Sequence, residues 1–129
     1  MGGRQPLSLG VDQCFERSVV MHELMHAAGF IHEHSRSDRD QYINVHLENA
    51  DPANVDQFNK MAPWQNQLLS PFDYDSIMLY GSMTASGNAQ PTMLTKDGQL
   101  IPEVWEKPGL SQGDVHGIWA AYGCRQGGK

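Results

Sequence analysis

The apolar pattern along the chain changes period several times, and each change marks a predicted element. From Phe15 to Ala28 the run FERSVVMHELMHAA has helical spacing. Val19, Leu24, Ala27 and Ala28 can face a core, while His22 and His26, four apart, share another face. Met21 and Met25 read as core packing. Gly29 sits where the chain can take a positive φ and leave the helix. Tyr42 to Val45 is a short extended run. Asp51 and Pro52 suit the N-cap and first turn of a second helix, with Val55 and Phe58 as its buried side and Pro63 as its end. Residues 82–109, rich in Gly, Pro, Ser, Thr and Asn, predict loops with short hairpin pieces. Ser111 caps a last helix, with Asp114 in the place of the capping-box glutamate. Ile118, Trp119 and Tyr122 form its apolar side and Gly123 its stop. Residues 1–14 read as loop, with Leu7 and Leu9 alternating as in a short strand.

The first helix also carries the chemistry. Residues 22–32 read HELMHAAGFIH. His22 and His26 stand one turn apart and can grip one zinc ion, and Glu23 between them can reach a water on that metal. Gly29 lets the chain turn, and His32 follows on the returning segment. Three neutral nitrogens leave zinc an open position, the pattern of a catalytic site. An accidental HExxH on a solvated helix is the competing reading. The extension through Gly29 to a third histidine weighs against it. His34, His46 and His116 match no ligand position and read as surface or packing histidines.

The longer stretch HELMHAAGFIHEHSRSDRD, residues 22–40, resembles the signature of the astacin family of zinc metalloproteases, in which a glutamate, here Glu33, follows the third ligand. FDYDSIMLYG, residues 72–81, is similar to the family's Met-turn, and LSQGDVHGIWAAYGC, residues 110–124, to its C-terminal helix and closing cysteine. The resemblance runs through nearly the whole chain, in the family's order. It implies an α+β metzincin (zincin-like) fold: an active-site helix plus a C-terminal subdomain with two further helices and few strands. It also implies that residues 1–31 are the end of an N-terminal subdomain and 32–129 the C-terminal one, so that most of the N-terminal subdomain is expected to be missing. By the same resemblance His22, His26 and His32 are the ligands of one zinc ion and Glu23 is the general base. Tyr80 is an extra donor, Met78 an apolar floor, and Glu33 the partner of a mature N-terminus. Arg36, Asp38, Arg39 and Asp40 are then a structural salt-bridge network, the alternative being a solvated cluster. Cys14 and Cys124 match positions that pair with separate upstream cysteines, and so should not bond to each other.

Length and charge bound the rest. At 129 residues the chain is one domain at most. The formal net charge of −6 argues against non-specific nucleic-acid binding. No apolar stretch is long enough to cross a membrane, and MGGRQPLSLG has no apolar core of a signal peptide. The expected partner is a protein or peptide substrate and the expected setting, by resemblance, is extracellular. Two alternatives remain: a non-catalytic zinc-binding fragment of such a protease, and another metzincin subfamily. Nucleotide-binding and nucleophile-elbow motifs are absent from the sequence.

Overall fold

A computed structural model of the chain describes residues 3–7 and 16–124. Helix α1 spans Arg17–Ala27 and helix α2 spans Gln112–Tyr122. Between them the chain runs mostly through loops and short 3-10 turns. Strands β1 (Ile43–Val45) and β2 (Met93–Thr95) pair antiparallel, Ile43 opposite Thr95 and Val45 opposite Met93. No described helix is long and apolar enough to cross a membrane.

The helix ends follow the local chemistry. At the end of α1 the Ala28 and Gly29 amides return to Leu24 and His26, and Gly29 takes φ +94°. The Phe30 amide then bonds Met25 O at 3.0 Å, which folds the chain back along the helix. Ser111 accepts from the Asp114 amide while Asp114 accepts from the Ser111 amide, a complete capping box at the start of α2. Gly123 ends α2 in the left-handed region.

Two apolar clusters hold these pieces. The larger joins the sheet to the loops through Ile43, Phe58, Phe72, Leu79, Met93 and Ile101. The smaller places Met25 of α1 against Ile77 and Met78, with Met21, Phe30 and Ile118 packed around them. One segment, Ser76–Tyr80, therefore feeds both clusters. Burying side chains of this size contributes roughly 1.5–3 kcal/mol each. The segment is anchored on both sides before any polar contact is counted.

Three expectations need correction. The second helix is a seven-residue 3-10 stretch, Pro52–Phe58, that ends at Asn59 and not at Pro63. Asp51 caps it as expected, by accepting from the Ala53 amide. Phe58 alone is its anchor, because Val55 is 39% exposed. One apolar contact per turn gives no continuous stripe to favour a longer α-helix. On α1 the buried residues are Ser18, His22 and Met25, while Leu24 is 52% exposed. The core contacts of α1 among the described residues lie on its metal-site side. On α2, Trp119 and Tyr122 are exposed, and Ile118 makes the core contact. The predicted strand at Leu7 and Leu9 lies largely outside the described residues, as does Cys14; Cys124 is exposed.

Gly81 follows Tyr80 directly, and a Cβ there would stand 2.2 Å from Glu103 Cδ and 2.6 Å from Glu103 Cα. Glu103 is itself fixed by the Met83 amide and the Thr84 hydroxyl. Gly81→Ala is expected to cost about 1–3 kcal/mol through overpacking. Ala89 holds φ +61° on an exposed loop, so Ala89→Gly should gain up to ~1 kcal/mol by relieving the left-handed strain. Urea titration of both variants checks the opposite signs.

Candidate metal centre

The structure brings His22, His26 and His32 together. Their Nε2 atoms lie 3.1 Å (His22 to His26), 3.0 Å (His26 to His32) and 3.2 Å (His22 to His32) apart. The helix supplies the first two, and the backbone turn at Gly29 returns the third. The second nitrogens of the helical pair are engaged elsewhere: His22 Nδ1 donates to Ile77 O at 2.6 Å, and His26 Nδ1 donates to Phe30 O at 2.9 Å. A neutral imidazole whose Nδ1 holds the proton presents a bare lone pair at Nε2. Two lone pairs therefore face each other, and His32 has at most one proton to place between them. A cation bound between the three nitrogens would relieve that repulsion. Tetrahedral nitrogen ligands of zinc at about 2.0–2.1 Å stand roughly 3.3 Å apart, close to the spacing found. The residues fit zinc.

Their electrostatics agree with a ligand role. Burial holds the His22 imidazole below its usual range, with the Ile77 carbonyl pulling the other way. Burial, together with the neighbouring histidines His34, His26 and His22, pushes His32 down to about 2. Neutral rings are the form a metal binds.

Glu23 lies on α1 beside His22, partly buried, and its charge acts on both His22 and Tyr80. Tyr80 comes from the far side of the chain. Its ring stacks on His22 at 5.6 Å, with the His32 and His34 ring centroids at 4.3 and 4.8 Å. Burial, then the Glu23 charge, raises the phenol above its ordinary pKa. Met78 is 2% exposed beneath the helix, packed with Met25 and Ile77. His34 is fully buried, stacked on His32, with the Phe58 ring tilted against it at 6.1 Å. Its Nε2 meets Gln57 O at 3.2 Å. His116 is exposed, and His46 pairs with Glu48 at the surface.

The charged run after His32 is a network built on two buried arginines, with Asp40 at its exposed edge paired to Lys60. Arg36, 6% exposed, grips both oxygens of Asp38 at 2.9 Å and reaches Glu33 and the Ser70 carbonyl. Arg39 donates to the His34 and Phe58 carbonyls. Glu33 also accepts from the Asp73 amide, and burial pushes its carboxyl up to about 7 against the pull of Arg36. Glu33 lines a cavity of about 540 Å³ shared with Met25, Phe30, Met78 and Gly113. A shallower groove of about 360 Å³ runs past His26 and His32 to Asn59, Lys60 and Met61.

Sequence reading missed the residues that hold Ser76–Leu79. Asp114 caps α2, but its carboxylate also accepts from the Ser76 hydroxyl and from the Ile77 amide at 3.0 Å. Lys107 donates to Ser76 O at 2.8 Å and Leu79 O at 2.7 Å. A capping box was the only local signal for Asp114, and nothing local marked Lys107.

A helix-borne histidine pair, closed by a third histidine over a methionine turn, defines an α+β metzincin domain. The model of the Astacin peptidase family matches residues 1–123, and the chain belongs to that family. It is 38% identical over 130 residues to zinc metalloproteinase nas-14 of Caenorhabditis elegans, covering 99% of this chain and 25% of that protein. It is 41% identical over 128 residues to astacin-like metalloprotease toxin 1 of Loxosceles intermedia, covering 95% and 47%. The solved structure of high choriolytic enzyme 1, a hatching enzyme zinc-protease from Oryzias latipes, matches with a TM-score of 0.74 at 37% identity, over 84% of this chain and 53% of that one. The chain thus spans from about a quarter to about half the length of these relatives.

Asp114→Asn keeps the shape of the side chain but turns an acceptor into a donor facing an amide or a hydroxyl. The expected loss is about 1–3 kcal/mol, the cost of an unsatisfied buried group, read as a lower urea midpoint at unchanged slope.

Proposed function

We propose that this chain carries the catalytic centre of a zinc-dependent endopeptidase that cleaves proteins or peptides outside the cell. The observation behind this reading is the meeting of three imidazole Nε2 atoms within 3.2 Å, two of them with Nδ1 tied to main-chain carbonyls. Family membership supports it, and the relatives named as a hatching enzyme and a toxin support the extracellular setting. The division into an N-terminal part ending at residue 31 and a C-terminal part from residue 32 belongs to the same proposal.

His22, His26 and His32 would hold the metal. A zinc ion there would supply an acidified water, with a pKa of about 7, and a Lewis acid for the substrate carbonyl. Glu23 accepts the proton of the attacking water and later delivers it to the departing amine. The Tyr80 phenol, kept protonated by its raised pKa, donates a hydrogen bond toward the oxygen where negative charge develops. Ile77 O and Phe30 O hold two of the imidazoles in one tautomer, and Met78 keeps the floor of the site dry. The groove toward Lys60 leaves room for an extended chain beside His26 and His32.

One zinc ion per chain is expected on metal analysis, and His26→Ala should lose it; equal zinc in both would overturn the ligand assignment. In a casein or quenched-peptide assay Glu23→Gln should keep its zinc and lose nearly all turnover. Tyr80→Phe should lose on the order of 100-fold, about 3 kcal/mol of transition-state stabilisation. Zinc without turnover in the parent chain would leave the non-catalytic zinc-binding reading standing.

A further inference from the structure

Lys107 is 7% exposed and, among the described residues, has no carboxylate within 4 Å. Buried charges are ordinarily paired. This one is satisfied instead by two main-chain carbonyls, Ser76 O at 2.8 Å and Leu79 O at 2.7 Å. Those carbonyls are the two ends of a four-residue turn. The two between them face the metal site: Ile77 O accepts from His22 Nδ1 at 2.6 Å, and Met78 O accepts from the Glu33 amide at 2.8 Å. Four consecutive carbonyls are thus divided evenly. The middle pair orients His22 and the backbone directly after His32, and the outer pair is gripped by one ammonium.

The amides of the same turn are fixed as well. Ile77 N donates to Asp114, Met78 N to the Ser76 hydroxyl and Leu79 N to Ser76 O. Those contacts set the turn's shape and hold Ser76 O through the Leu79 amide, but among the described residues Leu79 O has Lys107 alone as its donor, so the ammonium is what ties the far end of the turn to the near end. Burial pushes the Lys107 ammonium down to about 8, opposed by the charges of Asp114, Asp73, Asp75 and Glu103. At neutral pH it remains largely protonated, with three donors.

We propose that Lys107 is a positioning residue for the metal centre, clamping the Ser76 and Leu79 carbonyls so that Ile77 O holds His22 at its ligating angle. The role rests on the zinc assignment above. It differs from simple packing because it acts on one imidazole through one carbonyl. Loss of the clamp should therefore change metal affinity and ligand field beyond what lost stability explains.

The test compares the parent chain with Lys107→Met, Lys107→Gln and Lys107→Arg, and with Glu106→Ala. Glu106 ends the short 3-10 turn Val104–Glu106 just before Lys107, and among the described residues its side chain bonds the Glu103 amide alone, in a capping box, so its variant lowers stability without touching the clamp. Zinc affinity is measured by chelator competition, and the visible spectrum is recorded with Co²⁺ in place of zinc. Lys107→Met is expected to bind zinc about 10- to 100-fold more weakly and to show altered cobalt bands. Lys107→Gln should fall between, and Lys107→Arg should recover most of the affinity. Glu106→Ala should keep parental affinity and bands despite a lower melting temperature. Parental affinity in folded Lys107→Met or Lys107→Gln would overturn the proposal, as would an equal loss in Glu106→Ala. No zinc binding by the parent chain would instead overturn the metal assignment itself.

Discussion

The metal site depends on the carbonyl groups of Ser76 to Leu79. Main-chain carbonyls in a buried loop must find donors, or each costs free energy comparable to a lost hydrogen bond. Here the donors come from distant parts of the chain: His22 on α1, Glu33 on the loop after His32, and Lys107 ahead of α2. The requirement to satisfy this turn is what draws those segments together. Its side chains then finish the work, with Leu79 in one apolar cluster and Ile77 and Met78 in the other. Polar and apolar demands converge on the same four residues, so the imidazoles above them have little freedom.

The charged run after the third histidine shows the same economy. Arg36 and Arg39 are buried, yet their guanidinium groups reach carbonyls at Ser70, His34 and Phe58 as well as carboxylates. A guanidinium offers five donors in a fixed fork, and loops without regular secondary structure offer many unpaired carbonyls. Two arginines therefore replace the ladder bonds that a sheet would have provided. This helps a fold with, among the described residues, two three-residue strands to keep a defined shape around the site.

Much of this was legible in the sequence because it is local. The histidine spacing, Gly29 at the turn, the Asp51 cap and the Ser111–Asp114 box each follow from neighbours a few residues apart, and the structure has them as expected. The errors were tertiary. Leu24 and Trp119 read as core by spacing, but spacing does not say which face of a helix meets its partner. Val55 and Pro63 suggested a longer helix, and the single anchor at Phe58 did not sustain one. Lys107 and the second role of Asp114 act on residues 28 to 38 positions away. No period or motif reports such a contact.

That separation along the chain sets an order of events at synthesis. Chains emerge from the ribosome N-terminus first, at roughly 5–20 residues per second. The three histidines are complete by residue 32, whereas the carbonyl that orients His22 arrives at residue 77 and the groups that hold that carbonyl's turn at 107 and 114. For several seconds a flexible metal-binding motif exists without its frame. An ion taken up early would be held by ligands without that frame, and the frame closes only when residues 107 and 114 reach the turn.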